Sequence, residues 1–255
     1  MRYVAVGDSF TEGVGDEPSG PDTPRGWADL VAAGLAAANG GIDYANLAVR
    51  GRLLAPIATE QIDAALALDP LPTVMTFNGG GNDALRPGID PAHLLDLIRT
   101  AVRRARDAGI DVVVLAGADP SDGLPFGSTI RRRCAHLTDE TGVIAAQEGA
   151  TFVDVFHDEE IRGPGYWSDD RLHLNPTGHR RVAALVLQAM GVDDAVLPDP
   201  PAPHPGYGLT DDLRFYRGHL APWVMRRLRR QSSGDLRAAK YSTWTAVAPN
   251  AADRL

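Results

Sequence analysis

Five residues of this 255-residue chain have the types that acyl transfer requires: Ser9, Asp170, His173, Gly51 and Asn82. A serine hydroxyl is a poor nucleophile near neutral pH, so it needs a base within hydrogen-bond reach and donors aimed at the developing oxyanion. His173 is the candidate base, taking the Ser9 proton through one ring nitrogen while the other is held. Asp170 lies three residues earlier, a spacing that sets a carboxylate beside the imidazole on a turn or at a helical start. It would fix the tautomer and stabilise the imidazolium. The backbone N–H groups of Ser9 and Gly51 and the side-chain amide of Asn82 are candidates for a three-donor oxyanion hole. Losing one such donor typically costs about 10²–10³ in turnover. Asp8 is expected to support the turn by accepting from backbone N–H groups.

These residues are far apart in the chain, so strands must bring them together. Short apolar runs at 3–6, 42–46, 73–77, 112–116 and 151–155 read as buried strands. Helical patterns at 27–38, 60–68, 91–108, 128–150 and 177–190 alternate with them. Asp90, Pro91 and Gly109 punctuate one of these helices. The rhythm predicts a three-layer α/β/α fold with a doubly wound, five-stranded parallel sheet of the flavodoxin-like kind and a C-terminal extension. In such sheets ligands collect beyond the carboxyl ends of the strands. Ser9 follows the first run, with a helix N-terminus expected beside it to favour negative charge. Gly51 follows the second run and Asn82 the third. Leu124 and Phe126 follow the fourth, and Trp167, Asp170 and His173 the fifth. Leu124, Phe126 and Trp167 are the candidate lining of a substrate pocket. Residues 1–197 are expected to form the catalytic domain. The Pro-rich segment 198–205 ends it, and residues 198–255 read as a linker and basic extension with little periodicity. Within that extension the basic run 226–230 of the amphipathic segment 223–230 is expected to fold back onto the acidic body, with contact to anionic lipid or a second subunit as the alternative.

Four stretches, Gly-Asp-Ser-Phe-Thr-Glu-Gly at 7–13, Asn-Leu-Ala-Val-Arg-Gly at 46–51, Gly-Gly-Asn-Asp at 80–83 and Asp-Arg-Leu-His at 170–173, resemble in order the four sequence blocks of the SGNH hydrolases, the GDSL-type esterases and lipases. The resemblance implies that Ser9 is the nucleophile, that Gly51 and Asn82 join Ser9 in the oxyanion hole, and that Asp170 and His173 complete the triad. Phe10 stands where the best-known form of the first block has Leu, an apolar exchange. The blocks do not reach the C-terminal extension, so the family implies no role for it. The expected reaction is hydrolysis of a small carboxylic ester or thioester through an acyl-enzyme. Acyl transfer to an alcohol or sugar by the same residues is the nearest alternative, and an inactive binding module the next.

Composition narrows the other classes. The net charge is −8, yet residues 211–255 carry nine Arg/Lys against four Asp, so the body is more acidic than the total. That sign opposes nucleic acid as a partner. The single cysteine, Cys134, excludes an internal disulfide and reads as a packing residue. No Gly-x-x-x-x-Gly-Lys-[Ser/Thr] or Gly-x-Gly-x-x-Gly follows the first strand, and no Gly-x-Ser-x-Gly elbow is present. His157, Asp158, Glu159, Asp169, Asp170, His173 and His179 could ligate a metal, but their spacing matches no His-x-x-x-His pattern, so neither metal nor cofactor is expected. No window approaches about 18 uncharged apolar residues, which argues against stable membrane insertion. The N-terminus enters a strand at once, so a cytoplasmic protein is expected, although a secreted chain stripped of its leader would read the same. Nothing in the pattern specifies an oligomeric state.

Overall fold

The central apolar runs become strands because they can be buried on both faces at once. In β1 (Arg2–Val6), Tyr3 and Ala5 pack into one core with Trp27 and Val182, while Val4 and Val6 pack into a second with Leu54 and Ile98. The strands β2 (Ile42–Asn46), β3 (Val74–Phe77), β4 (Asp111–Ala116) and β5 (Thr151–Asp154) join β1 in the parallel order β5-β4-β3-β1-β2. The computed structural model describes residues 1–18, 24–192, 195–202, 204, 206–220, 222, 234 and 237–249. The basic segment 223–230 lies outside them.

Helices connect the strands. A single turn, α1 (Ser9–Glu12), and then α2 (Gly26–Asn39) follow β1. Between β2 and β3 run α3 (Leu54–Pro56), a π-type turn (Ile57–Gln61) and α4 (Ile62–Leu66). Next come α5 (Gly81–Ala84) and α6 (Pro91–Asp107) before β4, and α7 (Gly127–Gln147) before β5. The helix α8 (Pro176–Ala189) follows β5, and α9 (Leu209–Phe215) lies in the extension. With α2 and α8 on one face and α4, α6 and α7 on the other, the expected doubly wound three-layer fold is present. None of the helices is long and apolar enough to cross a membrane, among the described residues.

The helix ends have local causes. Asp90 accepts from the N–H groups of Ala92 and His93, and Asn175 caps α8 by accepting from Thr177 and Gly178. Pro91 and Pro176 stand at first-turn positions that need no N–H donor. The helix ending at Gln147 stops short of residue 150 because Gly149 takes left-handed backbone, φ +67°. The helical stretch expected at 60–68 begins earlier, at Leu54. A remote carboxylate, Asp83 Oδ2, accepts from Leu54 N at 2.9 Å, and Leu54 and Ile57 are fully buried.

The sheet departs from expectation at one edge. Instead of five strands it has six, because β6 (Tyr241–Val247) from the extension lies antiparallel along β2. It covers peptide groups that would otherwise stand unpaired at a sheet edge. The residue before it, Lys240, plugs into the body: its ammonium donates to the carbonyls of Glu12, Pro24 and Arg25 at 2.8–2.9 Å and to Asp29 Oδ2 at 2.6 Å. Both side chains are largely withdrawn from water, at 13% and 7% exposure. Replacing Lys240 by Met should therefore cost about 3–5 kcal/mol, because it strands a buried carboxylate. Urea unfolding measures this; a loss below about 1 kcal/mol, the range of solvated surface pairs, would show that the pair is not buried in solution.

Candidate active site

The turn after β1 is held from two sides. Gly7 exchanges hydrogen bonds with the Gln61 side chain, N–H to Oε1 at 2.8 Å and Nε2–H to the carbonyl at 2.9 Å. Asp8 caps α1 by accepting from Phe10 N at 3.1 Å, as its residue type suggested. Ser9 is then the first residue of a helix one turn long, so the dipole field that a longer helix would add here is small.

Ser9 Oγ lies 2.9 Å from His173 Nε2, and His173 Nδ1 lies 2.6 Å from Asp170 Oδ2. With Nδ1–H donating to the carboxylate, Nε2 presents its lone pair to the serine hydroxyl. The other carboxylate oxygen, Asp170 Oδ1, accepts from Ser168 Oγ and from the N–H groups of Leu172 and His173 at 2.8–3.0 Å. Those bonds fix the carboxylate before the imidazole is considered. Arg171 between them adopts left-handed backbone, φ +54°, which costs a non-glycine residue roughly 1–2 kcal/mol.

Gly51 sits in the turn after β2. That turn is held by Glu12, whose carboxylate accepts from Arg50 N at 2.6 Å and from the Arg50 guanidinium at 2.7 and 2.9 Å. Asn82, in α5, donates through Nδ2 to Asp8 Oδ2 and to Arg52 O, both at 3.0 Å. Both acceptors are oxygens, which settles the orientation of the amide. Sequence reasoning found Asn82 but not that its two protons are already directed.

A cavity of about 130 Å³ opens beside Ser9 and His173 and runs between the ends of β3 and β4 and the inner face of α7. Its walls include Leu85, Ile98, Val114 and Trp167. Leu124 and Phe126 do not line it. Phe126 occupies the cap position of α7 with left-handed backbone and is 87% exposed, so its ring points to solvent. The α7 side of the cavity is instead a stripe at helical spacing: Ile130, Cys134, Leu137, Thr138 and Thr141. Burial, with Asp119 adding to it, pushes the Cys134 thiol up to about 12, so it is uncharged near neutral pH.

Residues 5–181 match the model of the GDSL-like lipase/acylhydrolase family. The chain belongs to that family. Solved structures sharing the fold include TesA, 27% identical, with 74% of this chain covering 98% of that one at a TM-score of 0.61. The psychrotrophic esterase EstA from Pseudoalteromonas sp. is 18% identical, with coverages of 74% and 96% and a TM-score of 0.59. A variant of the acetylxylan esterase Axe2 from Geobacillus stearothermophilus is 18% identical, with coverages of 74% and 94% and a TM-score of 0.63. No curated protein matches. The family membership makes the chain an ester hydrolase, an enzyme acting on small-molecule esters.

In this GDSL-type hydrolase the charges around the row are arranged unevenly. Burial alone would push the His173 imidazole down. The Asp170 carboxylate and its hydrogen bond, with Asp8 behind them and Arg50 opposing, hold it above its ordinary value instead. Asp170 stays well below the usual carboxylate range: burial opposes its ionisation, but His173 and three hydrogen bonds outweigh that. Asp8 is pushed up to about 6 by burial, against the hydrogen bonds from Phe10 and Asn82. His179 is a contrast. Fully buried, it accepts from Trp27 N through Nδ1 and donates to Val14 O through Nε2, and burial pushes it down to about 4. Among the described residues no three His, Cys, Asp or Glu side chains gather as for a metal ion. The His173 balance makes a prediction about its proton. The ring should titrate above about 6.5, and Asp170→Asn should move it downward, because burial is then left with less opposition. Imidazole NMR resonances followed against pH report both values; an upward move in Asp170→Asn would refute the balance described.

Proposed function

We propose that this ester hydrolase works through an acyl-enzyme, with Ser9 as nucleophile, His173 as base and Asp170 as its orienter. The single observation that carries this reading is the unbroken hydrogen-bonded row from Ser9 Oγ through the imidazole to Asp170. Ser9 Oγ attacks the ester carbonyl while its proton passes to His173 Nε2, and Asp170 stabilises the imidazolium. Collapse of the tetrahedral intermediate expels the alcohol, which takes that proton. Water, deprotonated by the same nitrogen, then attacks the acyl-enzyme, releasing the acid and restoring Ser9.

The oxyanion of each intermediate would be met by the N–H groups of Ser9 and Gly51 and by the Asn82 amide. One Asn82 proton then turns or is shared from its present acceptor, Asp8 or Arg52. The apolar cavity would hold an aliphatic acyl group, ester or thioester alike, with Trp167 in its lining. Phe126, exposed to water, has no part in that lining.

Ser9→Ala should lower turnover by on the order of 10⁴ or more with the fold intact by circular dichroism. An organophosphonate that labels the wild type should not label the variant; a variant that keeps most of its turnover would end the nucleophile assignment. For the acyl pocket, p-nitrophenyl esters of rising chain length should gain about 0.8 kcal/mol per methylene that fits, roughly fourfold in kcat/KM, until the cavity is full. Leu137→Trp should move that break to shorter chains. A flat profile in both proteins would place the acyl group elsewhere.

A further inference from the structure

The chain beyond residue 198 returns to the site at three of its loops. Lys240 bonds the carbonyl of Glu12, at the end of the nucleophile's turn. Gly234 lies so close to the Gly51 turn that a Cβ on it would come within 2.0 Å of Arg50 O. The third contact is the most developed. Arg171, between Asp170 and His173, extends its guanidinium 3.8 Å from the ring centroid of Tyr207 and 4.6 Å from that of Phe215, and donates to Asp212 Oδ1 at 2.8 Å. Only 9% of its side chain is exposed. A planar cation held by two aromatic faces and a carboxylate is fixed in orientation as well as position. The family's own match ends at residue 181, so these contacts are additional to the four blocks.

We propose that the C-terminal extension is a positioning element of the active site, gripping Arg171 through Tyr207, Asp212 and Phe215 so that His173 stays in register with Ser9. Arg171 touches no reacting atom; it acts through the loop it belongs to. That loop, 168–173, has no helix or strand of its own; the bonds Ser168 N–H to His173 O and Arg171 N–H to Ser168 O close it on itself, and the grip on Arg171 ties it to the extension. The inference rests on the Ser9–His173–Asp170 reading.

Tyr207→Ala/Asp212→Asn tests it, assayed on the ester that the wild type hydrolyses best. Neither side chain is in the core, and folding is checked by circular dichroism. The double variant should lose about 10- to 100-fold in kcat with KM within about twofold, since small misplacements at the reacting atoms cost this much. Tyr207→Phe, which keeps the aromatic face, should retain wild-type kcat. Amide exchange at Leu172 and His173 should quicken in the double variant and not in Tyr207→Phe. Wild-type kcat in the folded double variant, or an equal loss in Tyr207→Phe, would overturn the proposal. Ester hydrolysis that survives Ser9→Ala would instead sink the underlying reading, while amide exchange would still report the grip on Arg171.

Discussion

Ser9 and His173 are 164 positions apart and their side chains meet at 2.9 Å, so the site depends on whatever draws the loop after β5 across the sheet to the end of β1. Backbone contact supplies part of it. At Gly15, φ +101°, any Cβ would fall 2.0 Å from Leu174 O, so the two loops touch main chain to main chain where only glycine fits. His179 adds to it, joining α8 to Trp27 N and Val14 O from a fully buried position. A neutral imidazole can serve both groups at once, as donor and as acceptor. The burial that keeps His179 uncharged is therefore part of what aligns His173, a different residue with the opposite balance.

The loops around the site are irregular, so their backbone groups lack the partners that helices and sheets provide. Carboxylates take that place. Asp170 gathers two backbone N–H groups and a hydroxyl, Glu12 gathers Arg50, and Asp16 receives the Arg25 guanidinium at 2.8 and 3.0 Å. Charge-assisted bonds of this kind are short and directional, and partial burial keeps them from being screened.

The extension shares in that organisation. Its strand closes the β2 edge, where Tyr241 packs on Tyr44, itself stacked on Tyr3 of β1, and its lysine neutralises Asp29 beneath. A tail that reads as an appendage by its prolines is thus tied to the sheet centre by aromatic contacts and to the Ser9 turn by a cation.

Sequence alone determined the five parallel strands and the helices between them, and it pointed to Ser9, Gly51, Asn82, Asp170 and His173 as candidates at the strand ends, because apolar runs and residue types are local properties. Tertiary structure decided the rest. The strand Tyr241–Val247 has β-branched and aromatic residues, but its partner lies some two hundred positions away in the chain. The stripe from Ile130 to Thr141 reads as a core face of α7, and only the position of that helix turns it into a cavity wall. Phe126 has the composition of a pocket residue and the backbone of one facing water. The partners of Asn82 and Arg171 come from remote loops and could not be read from their neighbours. Propensity and hydrophobic period are written along the chain, whereas the direction of a loop side chain and its partner depend on distances that exist only once the layers have packed.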